Sequence, residues 1–214
     1  MTSSNHLAIT KCPFLGETHC GDDCVYWQSG REITLCIVDG LGHGQHAERA
    51  AKAAVDYVAH HLTEPLVDIF AGCDRALRRT RGVVMGIAVI VVGEEDDEDE
   101  EAGTFVSLSR TTLTYAGIGN TRAMIVRREH PVVRLPGNYG IVGGGYRRLS
   151  PATVPLNPGD LVILTTDGIK ERCDLLGYGD ALRGDVQQLA ERILQDWSRE
   201  TDDAAVLVFR NEEA

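Results

Sequence analysis

Short apolar runs separated by turn signals predict a series of β-strands, and a few stretches show helical spacing instead. Strands are predicted at residues 7–10, 23–28, 33–38, 83–92, 105–108, 113–116, 122–126, 161–166 and 204–209. Helices are predicted at residues 45–61, 64–80 and 186–197, where apolar side chains recur every three or four positions, and another is predicted to begin over 169–173. Several strands in succession between residues 83 and 134 do not fit a βαβ alternation. The order therefore predicts an α+β fold with packed sheets and helices outside, as one domain over residues 1–214.

Two polar or glycine-rich stretches are predicted to be loops. Residues 94–101 are all acidic, and like charges in such a run repel, so residues 93–103 are predicted to form an exposed loop. Residues 136–148 contain five glycines and are predicted to form a surface loop near the site. A tight turn is predicted at residues 117–120, between two strands.

Composition and charge narrow the class of partner. The 214 residues carry a net charge of −11, with a pI of about 5.0, which argues against nucleic acid or an anionic membrane as a partner. The first residues have neither the basic nor the apolar segment of a signal peptide, so a cytoplasmic location with six reduced cysteines is expected. Cys20 and Cys24 could begin a zinc site, but its second half is missing, and buried thiols are favoured.

Four of the predicted strands have a carboxylate at one end. These are Asp22-Asp23 before residues 24–27, Asp39 after residues 35–38, Asp167 after residues 161–166, and Asp202-Asp203 before residues 204–208. An Asp-Gly pair after a strand is most often only a turn, but turns do not explain four such ends together. Carboxylate ligands without histidine or thiolate favour magnesium, manganese or calcium. Two such ions can activate a shared water for attack on phosphorus, which agrees with the absence of any recognisable nucleophile motif.

The glycine loop at residues 40–44 also allows a different interpretation. A strand, three glycines and a helix suggest a dinucleotide site, but the spacing does not match Gly-x-Gly-x-x-Gly. No acidic residue follows at the expected distance, and Asp39 would repel a pyrophosphate. The Gly-Lys-Ser/Thr of a Walker loop is absent, so a metal site remains the better interpretation.

The motifs resemble those of the SpoIIE-type branch of the metal-dependent serine/threonine protein phosphatases, in its short RsbX-like form. They are Gly21-Asp22, Val38-Asp39-Gly40-Leu41-Gly42-His43-Gly44, Gly117-Ile118-Gly119-Asn120, the run from Pro158 to Thr165-Thr166-Asp167-Gly168, and Asp202-Asp203. The resemblance covers residues 20–208 and implies two packed antiparallel sheets flanked by helices, an αββα sandwich with two Mn²⁺ or Mg²⁺ ions. It departs at Ala205, where the family often has threonine.

The resemblance also implies roles for individual residues. The metal ligands would be Asp22, Asp39, Asp167, Asp202 and the carbonyl of Gly40, and these aspartates would act in catalysis through metal-bound water. Asp23 and Asp203 compete with their neighbours, and the sequence leaves the choice within each pair open.

Four further side chains are candidates for contacts with the substrate. His43 could act as a general acid, although a loop histidine with only a capping or packing role is favoured. Arg81, Arg147 and Arg148 could hold the phosphate through bidentate hydrogen bonds.

The implied substrate is phosphoserine or phosphothreonine in a small signalling protein, of the STAS-domain or stressosome type, in a partner-switching stress or sigma-factor pathway. The alternative is a catalytically silent phosphatase fold that binds a kinase or STAS partner. The intact acidic set argues against this alternative, because a silent copy would be expected to have lost a ligand.

Overall fold

The computed structural model describes residues 6–93, 110–127 and 132–212. Its strands are β1 (Leu7–Cys12), β2 (Asp22–Ser29), β3 (Glu32–Gly40), β4 (Val83–Val91), β5 (Thr112–Ile118), β6 (Arg122–Val126), β7 (Val133–Leu135), β8 (Gly140–Ile141), β9 (Gly145–Tyr146), β10 (Ala152–Pro155), β11 (Leu161–Thr165) and β12 (Ala204–Arg210). Its α-helices are α1 (Gln45–Ala59), α2 (Leu66–Ala76) and α3 (Val186–Trp197), and a 3₁₀ segment spans Leu176–Arg183.

The larger strands form two antiparallel sheets. Sheet I has the order β1-β12-β11-β6-β7, and sheet II has the order β10-β5-β4-β3-β2. Neighbouring strands within each sheet are antiparallel. A separate small hairpin pairs β8 with β9. The predicted α+β fold with two packed antiparallel sheets is therefore confirmed.

Alternation along the central strands divides the apolar side chains among three layers of core. In β3, Leu35 and Ile37 face the layer between the two sheets, whereas Cys36 and Val38 face the layer under α1 and α2. A third layer lies between α3 and sheet I and contains Ile193. Both faces of these strands are buried, which explains why they appear in the sequence as continuous apolar runs. The layers stack as helices, sheet II, sheet I and helix.

Helix α1 packs closely on sheet II because its buried face is built from small residues. Ala47, Ala50, Ala51 and Ala54 are at most 1% exposed. The backbone of Ala47 comes so close to Gly40 that a Cβ atom there would collide with its carbonyl. This contact fixes α1 against the end of β3, where Asp39 lies.

Three local predictions differ from the structure. Residues 169–173 were predicted to start a helix, and this is wrong: Ile169 is buried under α3 and forms a bridge with Ser198, while Lys170 donates its N–H to the carbonyl of Trp197. These long-range bonds replace the helical ones. The glycine-rich stretch contains β8 and β9 rather than only a loop. Helix α2 is shorter than predicted and begins after Pro65.

Other predictions concern features that the described residues do not test. The predicted strand 105–108 and the acidic run 94–101 lie outside the described residues. The single domain over residues 1–214 stays a prediction. Among the described residues, no helix is long and apolar enough to span a membrane.

Candidate metal centre and active site

Two of the predicted ligands lie side by side at the ends of neighbouring strands of sheet II. The register of β2 and β3 places Asp22 directly opposite Asp39. Asp22 is only 3% exposed, and its Oδ2 atom has no hydrogen-bond partner. A buried carboxylate oxygen without a partner is costly, so this atom is available to a ligand such as a cation.

The other two predicted ligands come from the facing ends of sheet I. Asp167 follows β11 and Asp202 precedes β12, and these strands are neighbours. Thr166 holds the two ends together, because its N–H donates to the carbonyl of Ala205 at 3.2 Å and its Oγ1 accepts from the N–H of Ala205 at 2.9 Å. Asp167 and Asp202 line one cavity of about 550 Å³. Each sheet therefore contributes two carboxylates.

The four carboxylates lie close enough to repel one another. Burial raises the pKa of Asp39 to about 9, and the charges of Asp22, Asp167 and Asp202 add to this effect. Burial likewise raises the pKa of Asp22 to about 8, opposed by a hydrogen bond from Thr166 and increased by neighbouring aspartates. The pKa of Asp202 is also raised, first by burial and then by Asp167.

Besides burial, the charge of Asp167 in sheet I raises the pKa of Asp39 in sheet II, so carboxylates of the two sheets lie near each other. Within the described ranges, no three His, Cys, Asp or Glu side chains already enclose one point as a closed set of metal donors. Mg²⁺ and similar cations are commonly bound through only one or two carboxylates and keep several water ligands, so they do not require such a closed set.

The structure separates the two members of each Asp-Asp pair. Asp23 turns away from Asp22, as successive residues of a strand do, and accepts a salt bridge from Lys11 at 2.7 Å. Asp203 accepts the backbone N–H groups of Phe14 at 2.7 Å and of Gly21 at 2.8 Å, one on each oxygen. Asp22 and Asp202 are therefore the members that remain available to a metal ion.

Glycine follows Asp39 and Asp167 because there is no room for a side chain. A Cβ atom at Gly40 would collide with the carbonyl of Ala47, and one at Gly168 would collide with the carbonyl of Asp203. Positive φ angles occur further along the first loop, at Gly42 (87°) and Gly44 (73°). Close backbone approach therefore requires glycine at residues 40 and 168, and Asp167-Gly168 also lie in a turn, in which the N–H of Ile169 donates to the carbonyl of Thr166 at 3.3 Å.

The predicted substrate-contacting residues lie in three different places. Nδ1 of His43 is 3.0 Å from Oε1 of Glu17 and its ring lies beside that of Phe14, but its side chain is 62% exposed, so neither predicted role of His43 is decided by these contacts. The guanidinium of Arg81 lies against Gly42, in the loop at residues 40–44 that follows Asp39. Arg147 and Arg148 line a separate cavity of about 660 Å³ beside the β8–β9 hairpin. Of the predicted arginines, Arg81 is thus the one in contact with the loop that follows Asp39.

Three residues that were given no role in the site from the sequence border the carboxylates. Asn120 donates its Nδ2–H to Oδ2 of Asp167 at 2.6 Å. Arg122 donates to the carbonyls of Thr166 and Ile169, and Nε of Arg199 donates to the carbonyl of Asp167 at 3.2 Å. All three line the cavity that contains Asp167 and Asp202. Asn120 belongs to the predicted tight turn. Arg122 becomes visible only once β6 is known to pair with β11, and Arg199 only once the segment after α3 is known to bond to Gly168.

Comparison with known proteins identifies relatives of similar size and fold. The chain is 24% identical over 154 residues to the phosphoserine phosphatase RsbX of Bacillus subtilis (strain 168), covering 72% of this chain and 69% of RsbX. A crystal structure of RsbX in complex with magnesium matches with a TM-score of 0.76 and 20% identity, over 96% of this chain and 95% of that one. A chain from work on the bacterial stressosome, described as a modular system adapted to control secondary messenger signalling, matches with a TM-score of 0.82 and 28% identity, over 96% and 98%.

The family itself is given by the sequence match. The profile of the family described as stage II sporulation protein E (SpoIIE) covers residues 29–212, from the turn before β3 to the end of the described chain. That range contains Asp39, Asp167 and Asp202, and the RsbX structure matches 96% of the chain. The chain belongs to the SpoIIE family.

Proposed function

We propose that this protein is a metal-dependent phosphoprotein phosphatase that hydrolyses phosphoserine or phosphothreonine in a small signalling protein in the cytoplasm. The observation that carries the proposal is the meeting of two carboxylates from each sheet, with an unpartnered buried oxygen on Asp22. Family membership supports it, and RsbX, a relative of similar length, is a phosphoserine phosphatase.

Asp22, Asp39, Asp167 and Asp202, with the carbonyl of Gly40, are the groups that would hold two Mn²⁺ or Mg²⁺ ions. Bound ions supply a nucleophilic water and neutralise the charge on the phosphoryl oxygens. Asn120 keeps Asp167 in place through its hydrogen bond, and Asp203 ties the residues before β2 to the start of β12. The magnesium in the RsbX crystal structure supports a metal cofactor of this kind.

Arginines beside the carboxylates are suited to orient the phosphoryl group. Arg122 and Arg199 share the cavity of Asp167 and Asp202, and Arg81 lies over the loop that follows Asp39. Guanidinium groups bind phosphate oxygens through directed N–H donors and stay charged at every physiological pH. A leaving group could take its proton from His43, and this role stays a prediction.

The substrate we propose is a phosphorylated STAS-domain protein of a partner-switching pathway. The likeness to RsbX and to the chain from the stressosome work supports this choice. A silent binding module is the less favoured alternative, because the predicted carboxylates are present and converge.

The test is phosphate release from para-nitrophenyl phosphate and from a phosphoserine-bearing STAS protein, with Mn²⁺, with Mg²⁺ and with chelator. Release that needs metal and is lost in Asp39→Asn supports the proposal. Asp68→Asn, on the exposed side of α2, is the matched control and should keep full activity. Metal binding without turnover on either substrate would favour the binding module instead, and absence of metal binding would contradict the proposed metal centre.

A further inference from the structure

A third cavity, of about 470 Å³, lies beside the loop at residues 40–44 and is lined mainly by basic side chains. His46 and Arg49 come from the first turns of α1, one helical turn apart, and Arg79, Thr80 and Arg81 come from the loop after α2. We refer to this set as the basic cavity. It does not overlap the cavity of Asp167 and Asp202.

The loop that forms one wall of the basic cavity is held in place by hydrogen bonds. Oγ1 of Thr80 donates to the carbonyl of Leu77 at 2.8 Å and accepts the N–H of Gly82 at 3.0 Å. The carbonyl of Gly82 then accepts the N–H of Leu41 at 3.1 Å. The position of the basic cavity is therefore fixed relative to Asp39, two residues before Leu41.

Within residues 6–93, 110–127 and 132–212, the arginines of the basic cavity have no acidic partner. In the described part of the chain, the side chains of Arg49, Arg79 and Arg81 form no ion pair and no hydrogen bond. Glu48, the acidic residue in the first turn of α1, forms ion pairs with His19 at 2.8 Å and with Lys52 at 2.9 Å. Lack of an ion pair is common among the described arginines, so what sets these three apart is that they line one cavity beside the loop that follows Asp39.

We infer that the basic cavity binds an anionic side chain of the protein substrate through Arg49 and Arg79, at a position next to the phosphoserine that is hydrolysed, which Arg81 could contact. This inference rests on the proposed phosphatase function, since it concerns how the substrate docks. Guanidinium groups from two elements can grip a carboxylate or a second phosphoryl group through charge-assisted hydrogen bonds. The net charge of −11 repels extended polyanions such as nucleic acid, whereas a cavity of about 470 Å³ accepts a single acidic side chain and its neighbours.

Binding of labelled peptides tests the inference without any need for turnover. The probes are a glutamate-rich peptide, a peptide with one phosphoserine among neutral residues, and a glutamine-rich peptide, measured by fluorescence anisotropy with the full chain in chelator. Arg49→Gln with Arg79→Gln should raise the Kd of the preferred anionic peptide about tenfold, because two charge-assisted hydrogen bonds are lost. Whichever anionic peptide binds more tightly identifies carboxylate or phosphoryl as the ligand.

The control is Arg75→Gln with Arg78→Gln, which removes the same charge from the same segment but outside the basic cavity. It should change Kd less than twofold. Equal weakening in both double variants would reduce the effect to general electrostatics and overturn the inference. Failure of the wild type to prefer either anionic peptide over the glutamine-rich one would overturn it too. Loss of the proposed phosphatase function would show separately, as absence of metal-dependent phosphate release.

Discussion

The two Asp-Asp pairs have the same sequence but opposite surroundings within each pair. In the first pair Asp22 is buried with an unpartnered oxygen, whereas Asp23 is bound by Lys11 at the surface of sheet II. In the second pair Asp202 borders the cavity, whereas both oxygens of Asp203 are bound by backbone N–H groups. The comparison teaches that one carboxylate of each pair is engaged by other groups of the protein, and we propose that the other binds a metal ion.

Exchanging the carboxylate of the available member should have the largest effect. Asp22→Asn and Asp202→Asn should each lower metal-dependent phosphate release about 100-fold or more, because a neutral amide binds a hard cation poorly. The measurement is kcat with Mn²⁺ on para-nitrophenyl phosphate, with circular dichroism to show that the fold persists. Wild-type turnover in either variant would remove that residue from the metal centre.

The second member of the later pair should matter for stability instead. Asp203→Ala leaves two backbone N–H groups without acceptors in a buried place, which should lower the free energy of unfolding by about 3 kcal/mol. Asp203→Asn keeps one acceptor and should cost about half as much. Urea denaturation in chelator measures both, and an unchanged midpoint in the alanine variant would show that these bonds contribute little.

The pH dependence of the metal-free protein should reveal the strain at Asp22. Its pKa of about 8 in the folded chain lies above the ordinary value of 3.8, so the folded state binds this proton more tightly than the unfolded state. Its contribution to stability is complete below pH 4 and is lost as pH rises through about 8. Asp22→Asn should therefore be more stable than wild type at pH 9 and equal to it near pH 4. Unfolding midpoints in chelator across this range check the difference, and parallel curves would contradict it.

The smallest effect should come from the surface partner of the first pair. Asp23→Asn breaks the ion pair with Lys11, whose side chain is 42% exposed, so the loss should stay below about 1 kcal/mol and shrink in salt. Turnover should remain within about threefold of wild type. A 100-fold loss would mean that Asp23 is the ligand and that the division within the first pair is reversed.

The sequence indicated which strand ends carry carboxylates, but not which of these carboxylates are bound by other groups of the protein. Apolar runs ending in Asp39 and Asp167 were visible because both faces of their strands are buried. The choice between Asp202 and Asp203 was not, since the N–H groups that occupy Asp203 come from Phe14 and Gly21, almost the whole chain away.

Long-range pairing also explains the residues that sequence analysis missed or placed wrongly. Arg122 reaches the Asp167 loop because β6 pairs with β11, with Arg122 opposite Thr165. Residues 169–173 do not form a helix, because Ile169 and Lys170 pair with Ser198 and Trp197 at the end of α3. Local patterns carry no information on such partners, because the contacts are made only when the sheets assemble.

The division of the carboxylates between two sheets would link the affinity for a metal ion to the spacing of the two sheets. Asp39 of sheet II and Asp167 of sheet I are the residues that would hold such an ion, which would then act as a clamp at one end of the core. Thermodynamic reciprocity then applies: whatever spreads the sheets weakens the clamp, and whatever strengthens the clamp resists spreading by the same free energy. A partner that grips both layers near this end could therefore set the metal occupancy of the enzyme without touching a single ligand.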